Sequence, residues 1–224
     1  MITAVIPCYN EEKTIGGIVL QCLKYVDEVI VADDQSVDRT VAVAMAAGAK
    51  AYQTTGKHGP GKAIRLGIRH AISRGADIIV MLDGDGQHDP NEIPKLLKEL
   101  EHHDMVITSR FMDGLTNMPF YRHVGIWLIT AAYNFGSKVK IKDSQCGLRA
   151  AHAHVLHDLD LTEDNFGYST EMLVKARAKG YGISEIPTIV KYHEHFSQNS
   201  TTNPIKHGLI VMIDTIKWRL KVLK

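Results

Sequence analysis

Apolar β-type runs recur along the first half of this 224-residue chain, at Ile2–Ile6, Val26–Ala32, Ala49–Gln53 and Ile78–Leu82, and a stretch of helical periodicity follows each of them. Strands that read as apolar on both sides must be covered on both faces, and a strand–helix–strand repeat brings each new strand back parallel to the last. The pattern predicts an α/β fold with a Rossmann-like, mostly parallel sheet flanked by helices. Helices are expected over Glu11–Lys24, with Ile15, Ile18, Val19, Leu20 and Leu23 on the apolar side, over Val41–Ala47 ended by Gly48, over Gly61–Arg74 ended by Gly75, and from beyond Pro90 to about Glu101. Pro7 is expected to stop the first strand. A fifth strand follows at Met105–Thr108, after which the alternation fades, leaving helices at Phe120–Gly136 and Pro204–Lys224. No repeat, low-complexity run or Pro/Ser-rich linker divides the sequence, so residues 1–224 read as a single domain.

In such sheets ligands gather at the carboxyl ends of the strands. Those ends read Pro7-Cys8-Tyr9-Asn10-Glu11, Asp33-Asp34-Gln35-Ser36-Val37-Asp38 and Asp83-Gly84-Asp85-Gly86-Gln87-His88, so carboxylates cluster at the predicted ligand edge. Composition removes other classes. At 45% apolar and 23% charged residues the chain is globular rather than disordered or fibrous. A net charge of +1 and a lack of aromatic platforms argue against nucleic acid as a partner. The cationic excess is concentrated in Lys191–Lys224, which holds six Lys and Arg against two acids. The three cysteines, Cys8, Cys22 and Cys146, lie far apart without metal spacing, and the twelve histidines form no zinc signature. Without a secretory signal, reduced thiols in the cytosol are expected. The longest nearly uncharged run, Val124–Gly136, has 13 residues, against the ~20 needed to cross a bilayer.

The segment Asp83-Gly84-Asp85-Gly86-Gln87 carries the strongest chemistry. Two acids at alternate positions with glycines between them let the backbone bend so that both carboxylates face one divalent cation. Oxygen donors in this number suit Mg²⁺ or Mn²⁺, which keep positions open for phosphate and water, whereas a dedicated Ca²⁺ cage needs about 6–8 ligands. Asp33-Asp34 can accept hydrogen bonds from the base or ribose of a nucleotide, while Ser36 or Asp38 suits a helix cap. Glu11 reads either as a site residue or as a first-turn helix charge. Gly56-Lys57-His58-Gly59-Pro60-Gly61-Lys62-Ala63 is a near-miss for the phosphate loop G-x-x-x-x-G-K-[ST], with Lys62 as a diphosphate contact. Ala63 stands where the magnesium-binding hydroxyl belongs, which argues against the alternative of a P-loop nucleotide hydrolase.

Together with Ser109-Arg110-Phe111-Met112-Asp113-Gly114 and Asp143-Ser144-Gln145-Cys146-Gly147-Leu148-Arg149-Ala150, these segments resemble the family 2 glycosyltransferases in the right order over nearly the whole chain. Within that family they are similar to the dolichyl-phosphate mannosyltransferase and polyprenyl-phosphate glycosyltransferase group. The resemblance implies a GT-A fold, with a nucleotide-sugar-binding half at 1–110 and an acceptor half at 111–224. It implies a metal-dependent, inverting transfer of a sugar from a GDP- or UDP-linked donor to dolichyl or polyprenyl phosphate, as used in protein glycosylation. By the same resemblance Pro7, Tyr9, Glu11, Asp33 and Asp34 line the nucleotide pocket, and Asp83, Asp85 and Gln87 hold Mg²⁺ or Mn²⁺ on the diphosphate. Arg110 and Arg122 grip the acceptor phosphate, a task suited to the planar bidentate fork of arginine. Ser197, in the stretch Phe196 to Asn203, resembles a loop that closes on donor and acceptor. Arg149 and Asp143 are expected either to brace the site by pairing with each other or to act in it.

A lipid phosphate, with a second pKa near 6, is already ionised at pH 7 and needs no dedicated base. A saccharide hydroxyl, the alternative acceptor within the family, needs one. Glu171, just inside a helix beginning near Ser169-Thr170, is the candidate base or orienting acid, its plainer reading being a favourable first-turn charge. Pro204–Lys224 joins apolar residues to Lys217, Arg219, Lys221 and Lys224, as a helix lying in a lipid interface does, with the run from Phe120 through Trp127 to Phe135 as its neighbour. The chain is therefore expected to sit peripherally on the cytoplasmic face of a membrane, held by the lipid surface, an anchoring partner or homo-oligomerisation.

Overall fold

A computed structural model describes residues 1–112, 118–137, 139–190 and 204–222. In chain order the elements are β1 (Ile2–Cys8), α1 (Ile15–Cys22), β2 (Glu28–Asp33), α2 (Thr40–Ala46), β3 (Lys50–Gln53), α3 (Pro60–Ser73), β4 (Ile78–Met81), a 3-10 turn (Pro90–Glu92), α4 (Ile93–Leu100), β5 (Met105–Ser109), α5 (Phe120–Asn134), β6 (Arg149–His152), α6 (Ala153–Leu159), α7 (Tyr168–Ala178), β7 (Ile183–Pro187) and α8 (Pro204–Val222). The strands form one seven-stranded sheet in the order β3-β2-β1-β4-β6-β5-β7. Every pairing is parallel except those of β6, which runs antiparallel to both β4 and β5.

Successive residues of each central strand feed opposite layers, as the period of 2 requires. Val5, Ile30 and Ile79 pack with Ile64 and Ile68 of α3, Tyr133 of α5, Leu156 of α6 and Met172 of α7. Ala4, Ile6, Val29, Val31 and Val80 pack on the other face with Ile15 of α1, Ala44 of α2 and Ile93 and Leu96 of α4. Helix α8 lies outside this sandwich, against α5 and α7. No helix among the described residues is long and apolar enough to cross a membrane.

Three local expectations change. Pro7 does not stop β1, because β4 ends at Met81 opposite Val5 and the strand beyond pairs with β2 alone, Pro7 standing opposite Ala32; a missing ladder donor is tolerated at such an edge. Helix α1 begins at Ile15 rather than Glu11, and Glu11 instead closes a turn, its carbonyl accepting the amides of Thr14 and Ile15. The sheet also takes two strands from the second half. Arg149 opens β6 and Ser184 and Glu185 interrupt β7, so neither presents an apolar run.

Helix α3 sits hard against the sheet. A methyl group on Gly67 would come within 2.3 Å of Val5 Cγ1 and 3.3 Å of Ala32 Cβ. Ala exceeds Gly in helix propensity by only about 1 kcal/mol, whereas overpacking a tight contact costs about 1–3 kcal/mol. Gly67→Ala should therefore lower the thermal midpoint despite the better helix former; a raised midpoint would show that the α3–sheet contact yields.

Candidate active site

The strand order reverses between β1 and β4, the place where open α/β sheets leave a crevice for ligands. Three turns meet there, one after each of β1, β2 and β4. The first two are stitched together: Asn10 N donates to Ser36 Oγ at 2.8 Å, Val37 N to Asn10 Oδ1 at 2.9 Å, Glu11 N to Thr40 Oγ1 at 2.7 Å and Glu12 N to Asp38 Oδ2 at 3.1 Å. Asp38 also accepts the Thr40 amide at 2.9 Å, which gives it the structural role its sequence context suggests. Asn10 and Gln35 hold φ values of 56° and 66°, a left-handed conformation that costs free energy for a side-chain-bearing residue and marks turns whose shape is imposed.

The turn after β4 carries Asp83 and Asp85. Gly84 leaves no room for a side chain, a Cβ there falling 2.5 Å from Cys8 Sγ, and Gly86 takes φ +78°. The turn is tied to the start of α1 by Thr14 Oγ1, which donates to the Gly84 carbonyl at 2.7 Å, and internally by Gln87 N to Asp85 Oδ1 at 2.9 Å. Buried His88 brings Nε2 to 3.5 Å from Asp83 Oδ2. From the far side Gly147 closes on the same carboxylate so tightly that a Cβ there would stand 2.1 Å from Asp83 Oδ2. Asp83 keeps 41% of its side chain exposed, so it is fixed but open to the crevice.

The electrostatics of this turn are unbalanced. Burial opposes ionisation of Asp83, but the His88 imidazole and the Arg149 and Arg110 guanidiniums outweigh it and hold the acid below the usual carboxylate range. Asp85 is pushed up to about 6, first by burial and then by repulsion from Asp83. Glu11 rises to about 7 through burial and the charge of Asp85. A divalent cation relieves this repulsion, and the donor set fits one. The turn offers carboxylate oxygens from Asp83 and Asp85, the donor type Mg²⁺ and Mn²⁺ prefer, and among the described residues no group of three or more His, Cys, Asp or Glu forms a closed cage, so a cation here would keep positions for an anion and water.

Beside it lies the turn after β2. Asp33 Oδ2 accepts Ser36 N at 3.0 Å and Gln53 Nε2 at 2.9 Å, while Oδ1 is buried with no partner. Asp34 is used on both oxygens, accepting Thr54 Oγ1 at 2.6 Å and Gly59 N at 2.6 Å. Tyr9 is exposed and meets the His58 ring edge-on at 5.2 Å. At the end of β5, Arg110 forms a side-on pair with Asp143, Nε to Oδ2 at 2.6 Å and Nη2 to Oδ1 at 2.8 Å.

Residues 3–159 match the family model for Glycosyl transferase family 2. The chain belongs to this family. An undecaprenyl-phosphate mannosyltransferase from Micrococcus luteus is 31% identical over 198 residues, covering 83% of this chain and 82% of that one. A dolichyl-phosphate hexose transferase from Haloferax volcanii is 28% identical over 219 residues, covering 96% and 92%. Among solved structures, glucosyl-3-phosphoglycerate synthase from Mycobacterium tuberculosis in complex with Mn²⁺, uridine diphosphate and phosphoglyceric acid superposes with a TM-score of 0.75 at 19% identity, over 99% of this chain and 78% of that one. The fold is thus the expected GT-A fold.

In this glycosyltransferase the crevice gathers Pro7, Tyr9, Glu11, Asp33, Asp34, Asp83, Asp85 and Gln87 at one sheet edge. Glu171 is not brought to it with a free carboxylate. It is fully buried in α7 and accepts Thr162 N at 2.9 Å, Thr162 Oγ1 at 3.0 Å, Glu163 N at 2.9 Å and Lys175 Nζ at 2.8 Å, which pins the chain ahead of α7. The expected Asp143–Arg149 pair does not form: Asp143 takes Arg110, and Arg149 is buried with its guanidinium on the carbonyls of Cys146, Ser144 and Ser169. Lys62 turns back onto the Thr55 and Lys57 carbonyls. Of the amides at this helix start, Gly59 N goes to Asp34, Lys62 N to the Asp164 and Gly59 carbonyls, and Ala63 N to the Gly59 carbonyl, so these donors are engaged within the protein rather than turned to a phosphate. Arg122 sits half-buried in the first turn of α5, and Ser197 lies outside the described residues. Sequence reasoning assigned no role to Thr14, His88 and Gly147; the last two stand inside quoted motifs, and of these the Gly147 approach to Asp83 spans 64 positions while the His88 contact lies within the turn itself.

The raised values give a signed pH dependence. Ionising Asp85 and Glu11 costs the cation-free fold stability above pH 7, a cost absent below the ordinary carboxylate range and cancelled by a bound cation. Mn²⁺ should bind roughly tenfold more weakly at pH 6 than at pH 8, with proton release at pH 6, as calorimetry in buffers of different ionisation enthalpy will report. Glu11→Gln should flatten the dependence; an affinity independent of pH would contradict the assignment.

Proposed function

We propose that this family 2 glycosyltransferase moves a sugar from a nucleotide sugar to a polyprenyl or dolichyl phosphate at a membrane surface. The observation that carries the reading is a combination: an acidic pair suited to a diphosphate-bound cation, Arg110 just after β5 beside Phe111, which stacks on His123 of α5, and two packed helices that leave large apolar side chains in solvent. In α5 these are Phe120, Tyr121, Trp127 and Leu128, and in α8 Leu209, Ile210, Ile213, Ile216 and Leu220. Exposed large apolar side chains in this number invite a use, and Lys217 and Lys221 at the end of α8 suit anionic headgroups, whereas Arg219 turns onto the Ala132 and Tyr133 carbonyls of α5. Between α5 and residues 139–142 runs a groove of about 680 Å³ lined by Phe111, Trp127, Phe135 and Lys140 among others. Names of the relatives point the same way, one to undecaprenyl phosphate and one to dolichyl phosphate.

On this reading the unpartnered Asp33 Oδ1 accepts a hydrogen bond from the nucleotide, and Asp83 and Asp85, with Gln87, hold Mg²⁺ or Mn²⁺ against the diphosphate. The cation supplies charge neutralisation for the departing diphosphate. The phosphate oxygen of the lipid attacks the anomeric carbon, the bond from that carbon to the diphosphate oxygen breaks, and its electron pair leaves with the nucleoside diphosphate, inverting the configuration. Arg110, held in plane by Asp143, and Arg122 orient the attacking phosphate. That phosphate is already anionic, so no side chain has to remove a proton, which agrees with the closed environment of Glu171. Apolar docking through α5 and α8 places the chain peripherally, with the crevice at the lipid surface.

Radiolabelled UDP- and GDP-sugars offered with Mn²⁺ and a short polyprenyl phosphate should yield a glycosyl lipid phosphate, with the free polyprenol inert and anomeric inversion visible by NMR. Glu171→Gln should cost stability, about 1–3 kcal/mol for a disturbed buried acceptor, while the turnover of folded protein stays within a fewfold of wild type. Transfer to a saccharide hydroxyl that ignores lipid phosphate and is abolished by Glu171→Gln would contradict the reading.

A further inference from the structure

Behind Arg110 stands an acid with no place in the chemistry so far. Glu185, in the middle of the edge strand β7, lies in register with Ile107 of β5. Its carboxylate accepts the Lys142 amide at 2.9 Å on Oε1 and 2.8 Å on Oε2, and the Asp143 amide at 2.7 Å on Oε1. The Ser109 hydroxyl bonds it as well. These donors flank Arg110 on both sides. Ser109 precedes it directly and accepts the Phe111 amide at 3.3 Å, so the chain on either side of Arg110 is tied to the same hydroxyl. Asp143 meets Arg110 three times, through Nε at 2.6 Å, Nη2 at 2.8 Å and the backbone amide at 3.2 Å, and is itself braced by the Gln145 amide at 3.0 Å.

Two links thus run from Glu185 to the guanidinium. The first fixes the main chain that carries Asp143, and the second fixes the Nε–Nη2 edge of Arg110, which sets the plane of the whole fork. Burial raises the Glu185 acid above its ordinary value, so keeping it ionised here works against stability. A leucine could fill the same volume without that cost, but would leave the Lys142 and Asp143 amides without an acceptor.

We infer that Glu185 is a positioning residue for acceptor recognition, holding the 142–143 main chain and Ser109 so that Asp143 presents the Arg110 fork in one orientation. The inference rests on the proposed role of Arg110 at the acceptor phosphate. It separates Glu185 from the donor side: its hydrogen-bond partners among the described residues are Lys142, Asp143 and Ser109, none of which belongs to the turns after β1, β2 or β4.

The test compares Glu185→Ala, Glu185→Gln and Ser109→Ala in steady-state transfer to a short polyprenyl phosphate in detergent, with Mn²⁺. Glu185→Ala should raise the acceptor KM about tenfold and leave the donor KM within about twofold. Glu185→Gln keeps one oxygen between the two amides and should recover to within about threefold of wild type; Ser109→Ala, a smaller change that spares the fold, should fall between. The ¹⁵Nε–H signal of Arg110, assigned by its loss in Arg110→Lys, should shift or broaden in Glu185→Ala and persist in Glu185→Gln. An unchanged acceptor KM with an unchanged Arg110 signal overturns the inference, and so does an equal rise in both KM values. If wild type transfers nothing to lipid phosphate the proposed function fails, and the Arg110 signal alone then decides whether Glu185 orients that fork.

Discussion

Repulsion between acids on one short turn is the interaction from which the rest of the site follows. Asp83 and Asp85 are separated by one glycine, and the fold presses them together: Gly147 and His88 fix the first, while Thr14 and the Gln87 amide fix the turn that carries the second. The His88 imidazole and the Arg149 and Arg110 guanidiniums keep Asp83 ionised, and Asp85 and Glu11 are left under-compensated. Such an arrangement is costly alone and would be favourable once a cation arrived, which is why we propose a binding site here rather than a support.

The surrounding architecture divides the work by distance from that turn. Toward β2 and β3, side chains close on one another: Asp34 on Thr54 and Gly59, Asp38 on Thr40, Asn10 across to Val37. Among the described buried side chains here, the inner oxygen of Asp33 is without a partner and available to an incoming group. Toward β5 and β7 a second network holds Arg110 in plane. Beyond it α5 and α8 turn apolar side chains outward, and Arg177 and Arg219 both donate to the Tyr133 carbonyl near the end of α5, joining the apolar pair to α7 and hence to the core. A hydrophilic crevice and an exposed apolar surface are thus held as one body.

Much of the fold was legible because its signal is local. Runs such as Ile78–Met81 are apolar on both faces, and Gly48 and Gly75, at positive φ, follow α2 and α3 as helix stops should. The diacid turn was legible for the same reason, since its spacing of acids and glycines is contiguous. What escaped is non-local. Strand β6 reverses direction and begins with Arg149, whose charge is satisfied only by carbonyls brought near by folding. Of the two readings open for Asp143, pairing with Arg149 six positions away is not the one realised; its partner is Arg110, 33 positions away, which spacing does not reveal. Glu171 looked like a base for want of its buried partners, Thr162, Glu163 and Lys175, of which only Lys175 sits at a spacing a helix makes obvious.

The central claim, that the Asp83–Asp85 turn gathers a cation onto the diphosphate of a bound nucleotide, is tested most directly by anomalous diffraction at the manganese edge from crystals grown with Mn²⁺ and UDP or GDP. The account predicts a single manganese peak bonded both to this turn and to diphosphate oxygens. A bound nucleotide with no manganese at the turn would contradict it.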